Sequence, residues 1–312
     1  MASVAIPFVF SLARNRNVMS GFGQRAGGAR TFNAEPMLNP QVQIAHIDKH
    51  GVDKHVISSP TIIRGTHWAS PQTDLELCRR VNDTIATWVQ RHPTRFIGTF
   101  VLPLQDLHLA IPEMERSVRA LGLRIANLPA SAQGIYLGDV RMDPLWEAAA
   151  SLGIVAFIHP DGVRDPWFQN YNLWNSLGQS IEETKVMASL IYEGTLDRYP
   201  TVPIVMAHGG GYFPHYTGRI DRNAKNHADT MKNIADKPSA YLGRFYYDGC
   251  VYDPTVLTAL KARVGAGHIV MGSDYPVNLS DPVAFLRGDT GLTAAEVAQV
   301  AGGVAAGLLG IA

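Results

Sequence analysis

Short apolar runs rich in β-branched residues alternate with helical stretches, and this alternation constrains the fold more than any other feature of the chain. The runs cover residues 54–60, 95–104, 123–129, 154–160, 202–210, 244–250 and 268–276. Continuous apolar runs of this length are typical of strands that are buried on both faces of a parallel sheet. Strands of such a sheet are connected by helices that lie outside it.

The intervening segments have the period of helices. In the first of them, apolar side chains recur every three or four positions, at Leu77, Val81, Ile85 and Trp88. Helices are predicted over 74–91, 107–121, 143–152, 181–199, 254–263 and 293–309. With the N-terminal run "VAIPFVF" the strands number eight, which favours a closed (β/α)8 barrel of the TIM type over an open doubly wound sheet. We therefore predict one barrel domain over residues 1–312.

Composition narrows the class of protein. Hydrophobic residues make up 46% of the chain and charged residues 17%, so it can bury a large core. The formal net charge is zero and no basic stripe is present, so we expect no nucleic-acid partner. No apolar run approaches the ~18 residues that span a bilayer, so we expect no membrane segment. The 312 residues include two cysteines, which indicates a reducing compartment such as the cytoplasm.

Three of the predicted strands end in side chains that can bind a metal ion. His159 follows "FI", His208 follows "VMA" and Asp274 follows "GS". Catalytic groups of a barrel lie at the carboxyl ends of its strands, and imidazole with carboxylate suits Zn²⁺ or a similar divalent ion. A single histidine at a strand end is more often structural, and an aspartate before Tyr-Pro is more often a turn residue. The three together favour a metal site.

The triplet Gly209–Gly211 follows His208 directly. Without Cβ atoms, this backbone allows a substrate or a neighbouring chain to come close. A plain flexible turn is the alternative interpretation.

The segments "AHGGGYFPHYTGRI", "FIHP" and "VMGSDYPV" resemble the amidohydrolase-related decarboxylases of the aminocarboxymuconate-semialdehyde decarboxylase family. The likeness extends over about residues 41–286. It implies a dimeric barrel enzyme with one divalent metal ion, Zn²⁺ or alternatively Mn²⁺ or iron. His159 and Asp274 match the family's ligands, His208 matches the histidine that handles a proton beside the metal, and Arg219 matches the arginine that crosses the dimer interface to bind a substrate carboxylate.

The chain departs from this family at its first strand, which in the family carries a His-x-His pair of ligands. "VAIPFVF" has no histidine, and His46, the first one, falls in a predicted helix. Either the true first strand precedes Met1, or the metal site is degraded or rebuilt, for which His67 is a candidate recruit. A second departure is Gln43, near the place of a family arginine that binds a carboxylate; Arg64 is a candidate substitute.

Three functions remain open at this point. The first is a metal-dependent decarboxylase of a small unsaturated or aromatic acid, with Phe213 and Trp174 among the aromatic residues that line its pocket or, equally, pack in the core. The second is a hydrolase or hydratase of a small lactone, amide or unsaturated acid, which needs the same ligands and an activated water. The third is a catalytically impaired paralogue that binds an organic acid, for which the missing His-x-His pair is the argument.

Overall fold

The computed structural model describes residues 4–5, 35–59, 68–276 and 281–311. Its ten strands are β1 (Val4–Ala5), β2 (Lys54–Ile57), β3 (Phe96–Phe100), β4 (Ile125–Leu128), β5 (Ser131–Ala132), β6 (Ile135–Tyr136), β7 (Val155–Ile158), β8 (Ile204–Met206), β9 (Phe245–Asp248) and β10 (Ile269–Val270). Each apolar run predicted as a strand contains one of them, and β1 lies in the N-terminal run. The strands are shorter than predicted because the apolar runs continue into the connections.

The described residues also contain thirteen α-helices. They are α1 (Glu35–Leu38), α2 (Pro40–Lys49), α3 (Pro71–Arg91), α4 (Leu107–Arg119), α5 (Asp143–Leu152), α6 (Leu173–Ser176), α7 (Gly178–Tyr192), α8 (Thr195–Arg198), α9 (Thr217–Asn226), α10 (Pro254–Val264), α11 (Pro282–Arg287), α12 (Ala294–Ala298) and α13 (Val304–Leu309). Two predicted helices are divided. The segment 181–199 forms α7 and α8, and 293–309 forms α12 and α13 joined by the π-helical segment Gln299–Gly303.

Local signals explain where the longest helix begins and ends. Ser70 caps α3 because its Oγ accepts a hydrogen bond from the Thr73 N–H at 3.2 Å, and Pro71 occupies the first turn. The helix ends at Arg91, after which His92 leaves the helical conformation. Its apolar stripe, which includes Val81 and Ile85, is buried against the sheet.

Eight strands form one parallel sheet in the order β1-β2-β3-β4-β7-β8-β9-β10, and β5 and β6 form a small antiparallel hairpin. Strands of this sheet that follow one another along the chain are also neighbours in it, as in a sheet built from successive βαβ units. All seven pairings are parallel. The carboxyl ends of the strands therefore lie along one rim, where the predicted site residues were expected.

The sheet is strongly curled. Tyr275, which follows β10, has its ring 6.1 Å from the ring of His55 on β2. These strands are six positions apart in the sheet order, and in a flat sheet with about 4.8 Å per step they would be separated by about 29 Å. The segment Gln299–Gly303 contacts both β1 and β10. The predicted α/β class is confirmed, with a curled parallel sheet at its centre.

Two apolar clusters hold the fold together. The larger lies between the sheet and the outer helices. The smaller lies on the concave face of the sheet, where Val56, Ile125, Phe157, Val205 and Val270 meet the C-terminal helix α13. Among the described residues, no helix is long and apolar enough to cross a membrane.

Candidate active site

Two of the predicted site histidines meet at the carboxyl rim of the sheet. His159 follows β7 directly, and its main-chain N–H donates to the Leu128 carbonyl of β4 at 2.9 Å. Its side chain faces His208, which lies two residues after β8; their ring centroids are 4.8 Å apart and the rings are inclined by 70°. His159 is only 1% exposed. The rim therefore holds two imidazoles edge to face, shielded from bulk water.

A buried carboxylate fixes the orientation of His208. Nδ1 of His208 lies 2.5 Å from Oε1 of Glu183, which projects from α7. The Glu183 side chain is fully buried, so water does not compete for this hydrogen bond. With Nδ1 occupied by the carboxylate, Nε2 is the nitrogen left to meet a ligand.

The electrostatic field at this pair favours a positive charge on the imidazole. Burial lowers the pKa of His208, but the carboxylates of Glu183, Asp248 and Asp274 outweigh it and raise that pKa to about 9. Burial raises the pKa of Glu183 to about 7, against the opposing effect of His208. The surrounding carboxylates therefore favour the protonated form of His208.

Asp274 lies within this charge cluster, after β10. Its Oδ2 accepts a hydrogen bond of 2.6 Å from the hydroxyl of Tyr252, in the connection after β9. Asp248 at the end of β9 is 3% exposed, and burial raises its pKa to about 6. The ends of β9 and β10, together with Glu183 on α7, thus surround His208 with three carboxylates.

The three glycines after His208 pack against the protein itself. All three have positive φ: +65° at Gly209, +76° at Gly210 and +61° at Gly211. A Cβ on Gly210 would lie 2.9 Å from Met187 Sδ, and a Cβ on Gly211 would lie 2.3 Å from the Ser180 carbonyl oxygen. Beside Gly210 and Gly211 the space that was attributed to a substrate or a second chain is occupied by α7, and beside Gly209 it is occupied by Val251 and Leu260. The glycines of this turn therefore allow α7 to pack closely against it, so that Glu183 reaches His208.

The remaining predicted residues occupy different environments. Arg219 is exposed in the first turn of α9. Phe213 is 1% exposed and belongs to the main core. Trp174 is half-buried on α6, and its main chain packs against Gly162. Arg64 and His67 lie outside the described residues. Gln43 is fully buried, and its Nε2 donates to the Pro36 carbonyl at 2.7 Å, so it has a structural partner.

The donor set suits a divalent ion only in part. Imidazole nitrogen and carboxylate oxygen are ligands that Zn²⁺ and Mn²⁺ accept. Across residues 35–59, 68–276 and 281–311, however, no group of three or more His, Cys, Asp or Glu side chains is arranged to hold an ion. The described part of the chain supplies His159 and Asp274 as candidate ligands, without a complete ligand set.

Sequence reasoning missed Glu183, Asp248 and Tyr252. Glu183 had a readable signal, because it shares one face of a predicted helix with Val186 and Leu190, which are fully buried. A carboxylate on an apolar helix face needs a buried partner. Asp248 ends an apolar run before Gly249, which is the pattern that singled out the other strand-end residues.

Comparison with known proteins places this geometry in a family. The amidohydrolase family profile matches residues 53–311, more than half of the chain. The chain belongs to the amidohydrolase family. The resemblance predicted from the sequence motifs is thereby confirmed, and two relatives of this amidohydrolase carry names of decarboxylases.

One relative is the 2-amino-3-carboxymuconate-6-semialdehyde decarboxylase of Dictyostelium discoideum, 33% identical over 78% of this chain and 68% of that protein. Another is the gamma-resorcylate decarboxylase of Polaromonas sp. strain JS666, 29% identical over 84% of each chain. A crystal structure of a dihydroxybenzoic acid decarboxylase from Polaromonas sp. JS666, with bound manganese and the inhibitor 2-nitroresorcinol, superposes with a TM-score of 0.86 at 24% identity, covering 99% of this chain and 97% of that one.

Proposed function

We propose that the chain is a metal-dependent decarboxylase of a small aromatic or unsaturated carboxylic acid. The observation that carries this proposal is the buried pair of Glu183 and His208 beside His159, at the rim where a barrel enzyme holds its substrate. The enzyme class, a carboxy-lyase, is the one that the two named relatives share.

The proposed cofactor is one divalent ion held in part by His159 and Asp274. When bound, the ion supplies positive charge that holds the oxygens of the acid. Manganese is a better first probe than the zinc expected from the sequence, since the superposed Polaromonas structure contains it. The finer architectural proposal is that the curled sheet closes into an eight-stranded barrel, which the contact of Gln299–Gly303 with both β1 and β10 supports.

His208 is the proposed proton donor. Decarboxylation breaks the bond between the carboxylate and the carbon that carries it, and that carbon then takes up a proton. Three carboxylates raise the pKa of His208 and so favour its protonated form, and its Nε2 is not engaged by Glu183. Asp274, held by Tyr252, orients the acid or the ion that binds it.

We further propose a homodimer in which Arg219 binds the substrate carboxylate of the partner's site. Its exposed guanidinium provides the paired donors that a carboxylate accepts. Trp174, half-buried beside the connection after β7, is a proposed wall of the pocket. Phe213, expected in that wall from the sequence, is buried in the main core. Both cysteines are free and buried, which supports a location in the reducing cytoplasm.

The test is product analysis with the purified full-length protein supplied with Mn²⁺ or Zn²⁺. It would be incubated with gamma-resorcylate, 2-amino-3-carboxymuconate semialdehyde, simple benzoates, and a panel of lactones and amides. CO₂ release with formation of the decarboxylated product supports the proposal, and His208→Asn is the inactive control. Ring opening or amide cleavage without CO₂ release would contradict the decarboxylase proposal and support the hydrolase alternative. Binding of an acid without turnover or metal would favour the impaired paralogue.

A further inference from the structure

A buried glutamine in the first turn of α7 has an amide donor without an acceptor. Gln179 is 6% exposed and begins a buried stripe of α7 that continues through Glu183, Val186 and Leu190. Among the residues that the structure describes, its Nε2 is buried and has no hydrogen-bond partner. A donor in this state has lost its contact with water and gained nothing in return, which is unfavourable. The amide therefore calls for an acceptor that the folded chain does not supply.

Gln179 lies at the carboxyl rim, one helical turn from the pair of Glu183 and His208. It precedes Glu183 by four residues, so the two side chains share a face of α7 and are offset by about 6 Å along the helix axis. The carbonyl of the adjacent Ser180 faces the turn after His208, where a Cβ on Gly211 would collide with it. Because α7 runs back from the rim toward the start of β8, residues near its beginning lie toward the mouth of the site.

The connection after β7 packs against the same turn of α7. A Cβ on Gly178 would lie 2.8 Å from the main-chain nitrogen of Val163, and a Cβ on Gly162 would lie 3.2 Å from the ring of Trp174. Gln179 thus lies where α7 meets the connection that carries Trp174, the proposed wall of the pocket.

We propose that Gln179 is a specificity-determining residue whose Nε2 donates a hydrogen bond to an oxygen substituent of the acid, remote from the carboxylate that is lost. In the proposed reaction the carbon that takes up the proton lies next to His208, and Gln179 is offset from this point by about one helical turn. That offset is comparable with the length of an aromatic ring. A site with such a donor discriminates against an acid that lacks the matching acceptor. This inference rests on the proposed function, because it concerns the acid that the same site binds.

The experiment compares two acids that differ by one hydroxyl group, by calorimetric titration of the full-length protein as purified. The acid 2,4-dihydroxybenzoate carries a hydroxyl opposite its carboxylate, and 2-hydroxybenzoate lacks it. We expect the wild type to bind the dihydroxy acid more tightly. Gln179→Leu should weaken the binding of that acid about three- to tenfold, as expected for the loss of one neutral hydrogen bond. Its affinity for 2-hydroxybenzoate should stay within about twofold of the wild-type value.

Thermal unfolding of the acid-free protein distinguishes this role from a structural one. Because Leu buries no unpaired donor, the thermal midpoint of Gln179→Leu should equal or exceed that of the wild type. Gln43→Leu is the matched contrast: Gln43 is also buried, but its Nε2 donates to the Pro36 carbonyl at 2.7 Å, so its loss should lower the midpoint. Gln90→Leu, at an exposed position of α3, should change neither the midpoint nor the two affinities.

Three results overturn the role of Gln179. They are a wild-type protein that does not bind the dihydroxy acid more tightly, an equal loss of affinity for both acids in Gln179→Leu, and a lowered thermal midpoint in that variant. An equal loss would place the amide on the carboxylate, and a lowered midpoint would give it a structural partner.

The two proposals fail separately. If the wild type prefers the dihydroxy acid through Gln179 but releases no CO₂ from any acid tested, the proposed decarboxylase function is wrong and the role of Gln179 in binding stands. If the wild type releases CO₂ while Gln179→Leu binds both acids as the wild type does, the role of Gln179 is wrong and the function stands.

Discussion

Glu183 and His208 form a buried hydrogen-bonded pair between a helix and a strand end, with Oε1 2.5 Å from Nδ1. The carboxylate is fully buried, so its principal source of stabilisation is the imidazole. Burial lowers the pKa of the imidazole, and this carboxylate is the first of the groups that together raise it above its ordinary value, followed by Asp248 and Asp274. Each group therefore controls the proton affinity of the other, and the pair can be tested from either side.

Replacing Glu183 by Gln is expected to lower the pKa of His208. The amide keeps the shape of the side chain but removes the negative charge, while the burial of the imidazole remains. The protonated fraction of His208 then falls at mildly alkaline pH, by about tenfold for each pKa unit lost. In a profile of kcat/KM against pH from 5 to 10, the alkaline limb should move to lower pH. Glu182→Gln, which removes the neighbouring carboxylate bonded to Lys185, should leave that limb in place.

The same pair makes a prediction about stability. The pKa of folded His208, about 9, lies above its ordinary value of 6.5, so the stability it contributes is complete below pH 6.5 and is lost as the pH rises through 9. The pKa of folded Glu183, about 7, also lies above its ordinary value of 4.5, so its contribution to stability is lost as the pH rises from 4.5 through 7. Urea unfolding of the metal-free protein should give a smaller free energy of unfolding at pH 9.5 than at pH 6. A dependence of equal size in Glu183→Gln would contradict this assignment.

Removing the imidazole should strongly reduce turnover and leave the fold intact. His208→Asn is preferable to Ala, because Asn tolerates the φ of +46° that this position requires. Loss of a positioned proton donor typically reduces the rate about 10²- to 10⁴-fold. His215→Asn, at a half-buried histidine of the following 3₁₀ turn, is the control and should retain activity. Wild-type kcat in His208→Asn would show that another group supplies the proton.

Strand-end residues were predictable from the sequence, and their helix-borne partners were not. His159 and His208 follow apolar runs, so the parallel topology alone brings them to one rim. Glu183 precedes His208 by 25 residues on a separate element, and only the docking of α7 on the sheet brings the two together. No sequence pattern marks Tyr252, since a tyrosine in a turn gives no indication of its hydrogen bond to Asp274. Side-chain pairing across elements depends on packing, which periodicity does not encode.

The glycine triplet shows how one feature can be recognised but misinterpreted. The triplet does follow the strand-end His208 directly, beside the proposed site. The sequence, however, gives no information on what fills the space beside Gly211, and that neighbour proved to be α7 rather than a ligand. The order of the eight sheet strands, by contrast, followed from the alternation alone.

Gly211→Ala tests whether that close packing supports the site. The new Cβ would lie 2.3 Å from the Ser180 carbonyl oxygen and 3.0 Å from Oε2 of Glu183, at a φ of +61°. We expect a loss of about 1–3 kcal/mol in the free energy of unfolding, as for other overpacked sites. Displacement of Glu183 should also shift the pH profile in the direction of Glu183→Gln. Gly218→Ala is the matched control, because its Cβ meets nothing within 4 Å and α9 gains helix propensity.

Arg219→Ala should raise KM more than it lowers kcat. The guanidinium binds the substrate carboxylate in the ground state as well as later, so its loss weakens binding throughout the reaction. A charge-assisted hydrogen bond of this kind contributes about 1.5–3 kcal/mol, which corresponds to a rise in KM of at least about tenfold. Arg222→Ala, one turn further along the exposed face of α9, should leave KM unchanged. Steady-state kinetics over a range of acid concentrations measures both constants.

The proposal that Arg219 acts in the active site of the partner protomer can be tested separately, by complementation. Arg219→Ala and His208→Asn chains, co-expressed with different tags, form mixed dimers at random if the protein is a dimer. If Arg219 acts across the interface, each mixed dimer contains one site with both defects and one intact site. About one quarter of all sites should then regain wild-type kinetics. If Arg219 acts within its own chain, every site of a mixed dimer keeps one defect and no activity returns at low substrate. A protein that sediments as a monomer at assay concentration would exclude the trans role as well.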